Sequence, residues 1–302
     1  MLVATIEVKR SVGEEDLVGI MELLDRARAA DAHRPLGEHK WLDLAQSRRT
    51  GYAGFVARAG ARSPLAGYAH LSRGSQSWAL EVVVDPEHRD PSEAVRENLI
   101  SVALEEVRHE GGGHVHLWVA KPGDVDDAVA ARCGLQRGRD LLQMRRTLPL
   151  ELEYPDLPTR PFVRGADEEC WLEVNNRAFA SHPEQGGWDL GTLLEREEEP
   201  WFDPLGFLLH EADGKLAGSC WTKVHADIDP PLGEIYVISV DPAFQGTGLG
   251  RGLVVAGLRY LGSCGVGTAM LYVDSTNSPA LALYGSLGFT VDHVDRAYVA
   301  DI

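Results

Sequence analysis

In the second half of the chain the apolar positions change period in a readable order. F-L-L-H-E-A (207–212), L-A-G-S-C-W-T-K-V-H (216–225) and E-I-Y-V-I-S-V (234–240) are short strand-like runs. The turn D-G-K joins the first two, and all three read as antiparallel strands. T-A-M-L-Y-V-D (268–274) reads as another strand, and F-T-V-D-H-V (289–294) opens a last one. Between them the spacing changes to that of a helix. L-V-V-A-G-L-R-Y-L predicts one running to about Leu261, and P-A-L-A-L-Y-G-S-L (279–287) a short one. Upstream, a helix is expected over Asp167–Ser181, because G-A-D-E-E places acidic residues in its first turn, and a second over Leu190–Glu199. Antiparallel strands followed by strand–helix–strand predict an α+β unit, a mixed sheet flanked by helices.

The same pattern occurs earlier in weaker form. E-V-V-V-D-P-E-H-R (81–89) parallels V-I-S-V-D-P-A-F-Q (237–245), and C-G-L-Q (133–136) parallels L-G-F-T (287–290). Each half closes on a strand-like segment, L-L-Q-M-R-R-T-L and R-A-Y-V-A-D-I. Between the halves, Pro149, Pro155, Pro158 and Pro161 exclude a helix and suit an extended linker. The chain therefore reads as two tandem copies of one unit: 1–148, a proline-rich linker 149–160, and 161–302.

Composition narrows the function. Hydrophobic residues are 44% and charged residues 25% of the 302, as in soluble globular proteins. No apolar run approaches the roughly 20 residues that cross a bilayer, and the N-terminus has no basic segment before an apolar one. A cytoplasmic protein without a membrane partner is expected. The net charge of −17 argues against nucleic acid, whose phosphates need a basic surface. Cys133, Cys170, Cys220 and Cys264 have neither zinc-site nor disulfide-framework spacing. His114 and His116 alternate onto one strand face, but no third ligand is near, so no metal is expected.

The candidate chemistry lies at V-D-P-A-F-Q-G-T-G-L-G-R-G (240–252), where a strand turns into a helix through four glycines. Glycines permit close backbone approach, and a helix N-terminus offers free N–H groups and the positive end of a dipole. Together they make a phosphate cradle. Glu234 is a second signal: a carboxylate opening an otherwise apolar strand. Strand alternation places Glu234, Tyr236 and Ile238 on one face.

Q-G-T-G-L-G (245–250) resembles the pyrophosphate loop of the GCN5-related N-acetyltransferases, and N-S-P-A-L-A-L-Y-G-S-L-G-F (277–289) resembles their second signature. The resemblance implies two tandem acetyltransferase-fold domains, acetyl-CoA as co-substrate and no metal. It implies that the coenzyme is held by the loop Gln245, Gly246, Thr247, Gly248, Leu249, Gly250 and Arg251. Ile238, Ser239 and Val240 would lie on a bulged strand that pairs with the pantetheine arm. Asn277 and the helix behind it (Ser278, Pro279, Ala280, Leu281, Ala282) would line the coenzyme path. Glu234 would be the general base and Tyr284 the acid that protonates the leaving thiolate.

H-P-E-Q-G-G-W (182–188), E-P-W-F-D-P (199–204), W-T-K-V-H (221–225), G-E-I-Y-V-I-S-V-D-P (233–242), L-Y-V-D-S-T-N (271–277) and, more weakly, R-P-L-G-E-H (34–39) extend the resemblance. They match tandem members that acetylate the cysteine amine of cysteinyl-glucosaminyl-inositol. Glu38, Glu184, Lys223, Glu234 and Tyr272 would bind this small-molecule thiol substrate, in a monomer. Two other readings remain: a tandem acetyltransferase for another amine, such as an aminoglycoside, and a non-catalytic acyl-CoA sensor. The first half departs from the pattern. By repeat alignment Gln245 meets Arg89, Gly246–Gly250 meets D-P-S-E-A (90–94), Glu234 meets Trp78, Tyr284 meets Ala130 and Asn277 meets Gly123. Its coenzyme site is expected to be degenerate.

Overall fold

The structure is a computed structural model that describes residues 5–31, 33, 35–37, 52–60, 63–74, 77–151, 154–180 and 186–302. It comprises two compact units, Met1–Leu141 with His293–Ile302, and Leu142–Asp292. Both carry the mixed sheet and flanking helices that the pattern predicts. Among the described residues no helix is long and apolar enough to cross a membrane.

In unit 1, β1 (Thr5–Lys9), β2 (Tyr52–Arg58), β3 (Leu65–Arg73) and β4 (Trp78–Val84) pair antiparallel in order. β5 (His114–Ala120) joins β4 in parallel. Two of the unit's helices are α1 (Glu14–Asp31) and α2 (Ala94–His109). Leu99, Ile100, Ala103 and Leu104 of α2 are buried with Phe55, Leu71 and Leu80 of the sheet, the expected result of an apolar helix face meeting a pleated apolar face. A short helix, α3 (Asp124–Arg132), follows β5.

Unit 2 has the sheet order β6-β11-β10-β9-β8-β7. These strands are β6 (Gln136–Thr147, in this unit from Leu142), β7 (Arg160–Pro161), β8 (Phe207–Ala212), β9 (Lys215–His225), β10 (Leu232–Val240) and β11 (Thr268–Asp274). Helix α6 (Leu249–Ser263) covers one face, burying Leu253, Val254, Leu258 and Leu261 with Ala217, Cys220 and Ile235. Helix α4 (Glu168–Ala178) covers the other through an aromatic core. There Phe207 stacks on Trp221 with centroids 4.3 Å apart, and Trp171 meets both edge-on. Helices α5 (Leu190–Glu197) and α7 (Ser278–Ser286) complete the unit.

The strands at 207–212 and 268–274 form where the pattern places them, while α4 and α5 end earlier than expected, at Ala178 and Glu197. The last strand differs most. β12 (Thr290–Asp301) runs on to the end of the chain, and its Asp295–Asp301 pair antiparallel with Ala120–His114 of β5 in unit 1. Residues 293–302 thus belong to the first unit and 142–160 to the second, whereas the proline pattern suggested one crossing over 149–160.

The junction of α4 and α5 holds two buried carboxylates. Glu168 accepts the N–H of Gly165, and Glu197, only 3% exposed, has no hydrogen-bond partner for Oε1 among the described residues. Burial, with Glu168 nearby, raises the Glu197 carboxyl from 4.5 to about 7, although Arg164 lies 3.6 Å away. The unfolded chain loses this proton at about 4.5 and the folded chain at about 7, so stability falls as pH rises through that window and is flat above it. Glu197→Gln should therefore be more stable than wild type at pH 8 by about 1–3 kcal/mol, and so melt higher there, and should melt equally at pH 4.5. Equal melting temperatures at pH 8 would refute this.

Candidate active site

The glycine stretch begins where β10 ends. Asp241 caps a short turn by accepting the Ala243 N–H at 2.9 Å, and Arg177 grips its other oxygen at 2.6 Å. Both interactions hold this carboxyl below its usual range. The chain then passes through Gly246 (φ 76°) and Gly248 (φ 86°), the latter being the N-cap of α6. A Cβ at either position would meet nothing within 4 Å. The left-handed backbone, not crowding, selects glycine there. It leaves open space before the first N–H groups of α6, which have no partner inside the helix. Between them Thr247 Oγ1 donates to Phe244 O at 2.7 Å, and Gln245 Nε2 reaches Val240 O at 3.5 Å. Gly252 serves packing instead: a Cβ would stand 3.2 Å from Leu157 Cδ2. Leu249, Gly250 and Arg251 form the first turn of α6. A helix start of this kind is a place where an anion can be held.

β10 pairs with β9 along its length but with β11 only from Leu232–Thr268 to Glu234–Met270. Past Glu234 the two parallel strands part, among the described residues. The register with β9 slips between Ile235 and Val237, a bulge centred on Tyr236. This corrects the alternation read from sequence. Ile235, Ile238 and Val240 pack in the cluster under α6, whereas Tyr236 and Val237 pack with Trp171 and Trp221 on the opposite face. Glu234 and Tyr236 share a face and Ile238 does not, because the extra residue reverses the side-chain period. Ser239 follows Val237: its Oγ lies 2.9 Å from Ser219 Oγ, which accepts Trp171 Nε1–H.

Glu234 is 8% exposed, at the point where the strands part. Its Oε2 lies 2.7 Å from His225 Nε2. Directly across the β9–β10 pair is Lys223, 3% exposed, whose Nζ sits 4.2 Å from the centre of the Trp201 ring and 5.4 Å from that of Tyr236. Tyr236 accepts Arg196 Nε–H at 3.3 Å, and burial pushes its phenol up. Leu271 and Val273 pack under α6, so Tyr272 points to the Glu234 face; it is 39% exposed. Its hydroxyl accepts the Nε2–H of buried Gln143, whose Oε1 accepts Arg145 Nε–H. The structure thus places Glu234, Lys223 and Tyr272 on one face, while Glu38 and Glu184 lie outside the described residues.

Tyr284 lies in the cluster under α6, beside Phe289 and 6% exposed. Burial raises its phenol above the usual range, so it stays protonated at neutral pH. Burial also pushes the Cys220 thiol to about 12, which removes it as a nucleophile there. Asn277 is the N-cap of α7, its Oδ1 accepting Ala280 N–H at 3.2 Å. Asn277, Ser278, Pro279 and Ala282 are exposed, and Ala280 and Leu281 half-buried.

The sequence reading missed His225, Trp201, Arg196 and Gln143. The first had a signal: in W-T-K-V-H, alternation puts Lys223 and His225 on one strand face. The bonds that bring Arg196 to Tyr236 and Gln143 to Tyr272 join residues far apart in sequence and left none.

Unit 1 repeats the layout without the groups. β4 pairs in parallel with β5 only from Trp78–Val115 to Leu80–Leu117. Its pairing with β3 has no bulge, so the residue matching Glu234 is Ala79, opposite Ser72 and His116, and not Trp78. No carboxylate stands there. The N-cap of α2 is Glu93 (φ 52°), where α6 has Gly248; the repeat alignment had put Ser92 there. Glu93 pairs with Arg96 at 3.1 Å. Arg89 is engaged by both oxygens of Asp31, at 2.6 and 2.8 Å.

Residues 168–289 match the Acetyltransferase (GNAT) family. A mycothiol acetyltransferase of Acidimicrobium ferrooxidans is 45% identical over 287 residues, 92% of each chain. One of Thermobispora bispora is 43% identical over 302 residues, 97% of this chain and 98% of the relative. Two solved structures share the fold across both units. A GCN5-related N-acetyltransferase from Sphaerobacter thermophilus has a TM-score of 0.72 at 21% identity, covering 98% of this chain and 95% of its own. A tandem GNAT protein from the clavulanic acid biosynthesis pathway has a TM-score of 0.73 at 17% identity, covering 99% and 98%. Identity of this size over nearly the whole length shows the family: the chain belongs to the mycothiol acetyltransferase family, within the GNAT N-acetyltransferases.

Proposed function

We propose that the chain transfers the acetyl group of acetyl-CoA to the cysteine amine of cysteinyl-glucosaminyl-inositol, forming mycothiol, with unit 2 as the catalytic unit. The observation that carries this reading is the position of Glu234, a buried carboxylate at the point where β10 leaves β11. Beyond it the freed edge of β10, Ile238–Val240, can pair with an amide-bearing pantetheine arm as an added strand does. The cradle from Gln245 to Arg251 takes the pyrophosphate, and the start of α7 lines the path beside it.

The amine must lose a proton before its lone pair can attack the thioester carbon. Glu234 holds the ammonium and takes that proton, the C–N bond forms, the nitrogen sheds its second proton to water, and the C–S bond breaks. Tyr284, kept protonated by burial, supplies a proton to the departing thiolate. Lys223 and Tyr272 bind hydroxyls of the pseudodisaccharide, as do Glu38 and Glu184. Direct attack suits the site better than an acetyl-cysteine route, because Cys220 is held as a thiol. Unit 1 has no base at Ala79 and a carboxylate at its helix start, and it holds no acetyl-CoA. The protein works in the cytoplasm as a monomer without a metal.

The test is incubation with acetyl-CoA and a panel of amines: the cysteinyl pseudodisaccharide, its des-cysteinyl form and an aminoglycoside. Mass spectrometry should find acetyl on the first alone. Preferential acetylation of the aminoglycoside would overturn the acceptor assignment, and no acetylation of any amine would leave a binding protein.

A further inference from the structure

Glu234 is held from the neighbouring strand. His225 stands opposite Leu232 and Lys223 opposite Glu234, so both β9 side chains flank the carboxylate on one face. His225 Nε2 lies 2.7 Å from Glu234 Oε2, and each residue is 8% exposed. A carboxylate only accepts, so Nε2 carries the hydrogen whether the ring is neutral or charged. Burying an imidazole and a carboxylate together is costly unless they pair, and this pair occupies one oxygen of the two. Among the described residues, other charged or titratable groups around this face include Lys223, Arg196, Glu199, Tyr236 and Tyr272.

We infer that His225 is a positioning residue for the transfer: its Nε2–H holds Oε2 of Glu234, so that Oε1 faces the acceptor amine. The inference rests on Glu234 being the base. A glutamate side chain has three rotatable bonds, and at a strand end beside an opening it needs an external restraint to keep one rotamer. Proton transfer is sensitive to that geometry, because base and amine must come within hydrogen-bond reach.

The experiment is a double-mutant cycle on the full chain, with kcat and KM measured for acetyl-CoA and the cysteinyl pseudodisaccharide. A hydrogen bond to a charged group contributes about 1.5–3 kcal/mol, so His225→Ala should lower kcat roughly 10- to 100-fold. The KM for acetyl-CoA should not change. His225→Gln, which keeps a donor, should recover most of the loss and guards against a folding defect in the alanine variant. In the Glu234→Gln background His225→Ala should cost little more, because its effect passes through the carboxylate. An equal loss in both backgrounds, or no rescue by glutamine, would overturn the positioning role. A mild effect of Glu234→Gln alone would instead remove the base assignment beneath it, so the two failures are distinguishable.

Discussion

Glu234→Gln should lower kcat/KM at neutral pH by on the order of 100- to 10,000-fold, the usual range for loss of a general base. The acceptor amine lies next to an amide, so its pKa is near that of an α-amino group, roughly 7.7–8.0. At pH 7 most of it is ammonium. Wild type holds that ammonium with the buried carboxylate and removes the proton in place. Glutamine keeps the shape but has neither the charge nor the proton acceptor. As pH rises the solvent deprotonates the amine unaided, so the deficit should narrow across a pH series. Lys223→Ala, which removes only a contact to substrate, should raise KM for the pseudodisaccharide and leave the shape of the pH profile unchanged. A deficit below about tenfold at pH 7, or one constant at every pH, would show that Glu234 is not the base.

Gly248→Glu should abolish acetyl-CoA binding, and calorimetry on wild type and variant checks this and the state of unit 1 together. Gly248 adopts φ 86° with nothing within 4 Å of its Cβ position. A glutamate there is strained and puts a carboxylate into the open space before α6, where it repels pyrophosphate and competes for the same N–H groups. Unit 1 shows the same arrangement in the natural sequence: Glu93 occupies the left-handed cap of α2. Wild type should therefore titrate with one acetyl-CoA per chain and the variant with none. One remaining site in the variant would assign coenzyme binding to unit 1. Unchanged affinity would sink the loop assignment.

Much of the candidate site could be proposed before the fold was known, because its parts are local. Of the four glycines in the stretch, Gly246 and Gly248 lie between the strand and the helix and adopt the left-handed backbone that only glycine adopts freely, a need that is local and so readable in the sequence. β11 lies at 268–274 because seven residues of apolar, β-favouring character between turns leave little choice. Glu234 stood out as a carboxylate on an apolar strand. His225 was within reach of the same alternation, but a strand pattern says which face a residue occupies and not which side chain of the next strand it meets.

The sequence by itself determined the local elements, the glycine-rich turn from strand to helix, the repeat and the lack of such glycines in the first half. Each depends on residues a few positions apart, where backbone geometry leaves few alternatives. The tertiary structure decided the rest. The bulge at Tyr236 breaks the two-residue period, and only the register with β9 shows it. It turns Ile238 away from Glu234 and makes Ala79 the counterpart of Glu234 in unit 1. The assignment of β12 to β5 is likewise invisible in the pattern, since two similar half-sequences offer the closing strand two similar places. Strand pairing is a choice among distant segments, made by packing and backbone hydrogen bonds over the whole sheet, and no single stretch of sequence contains it.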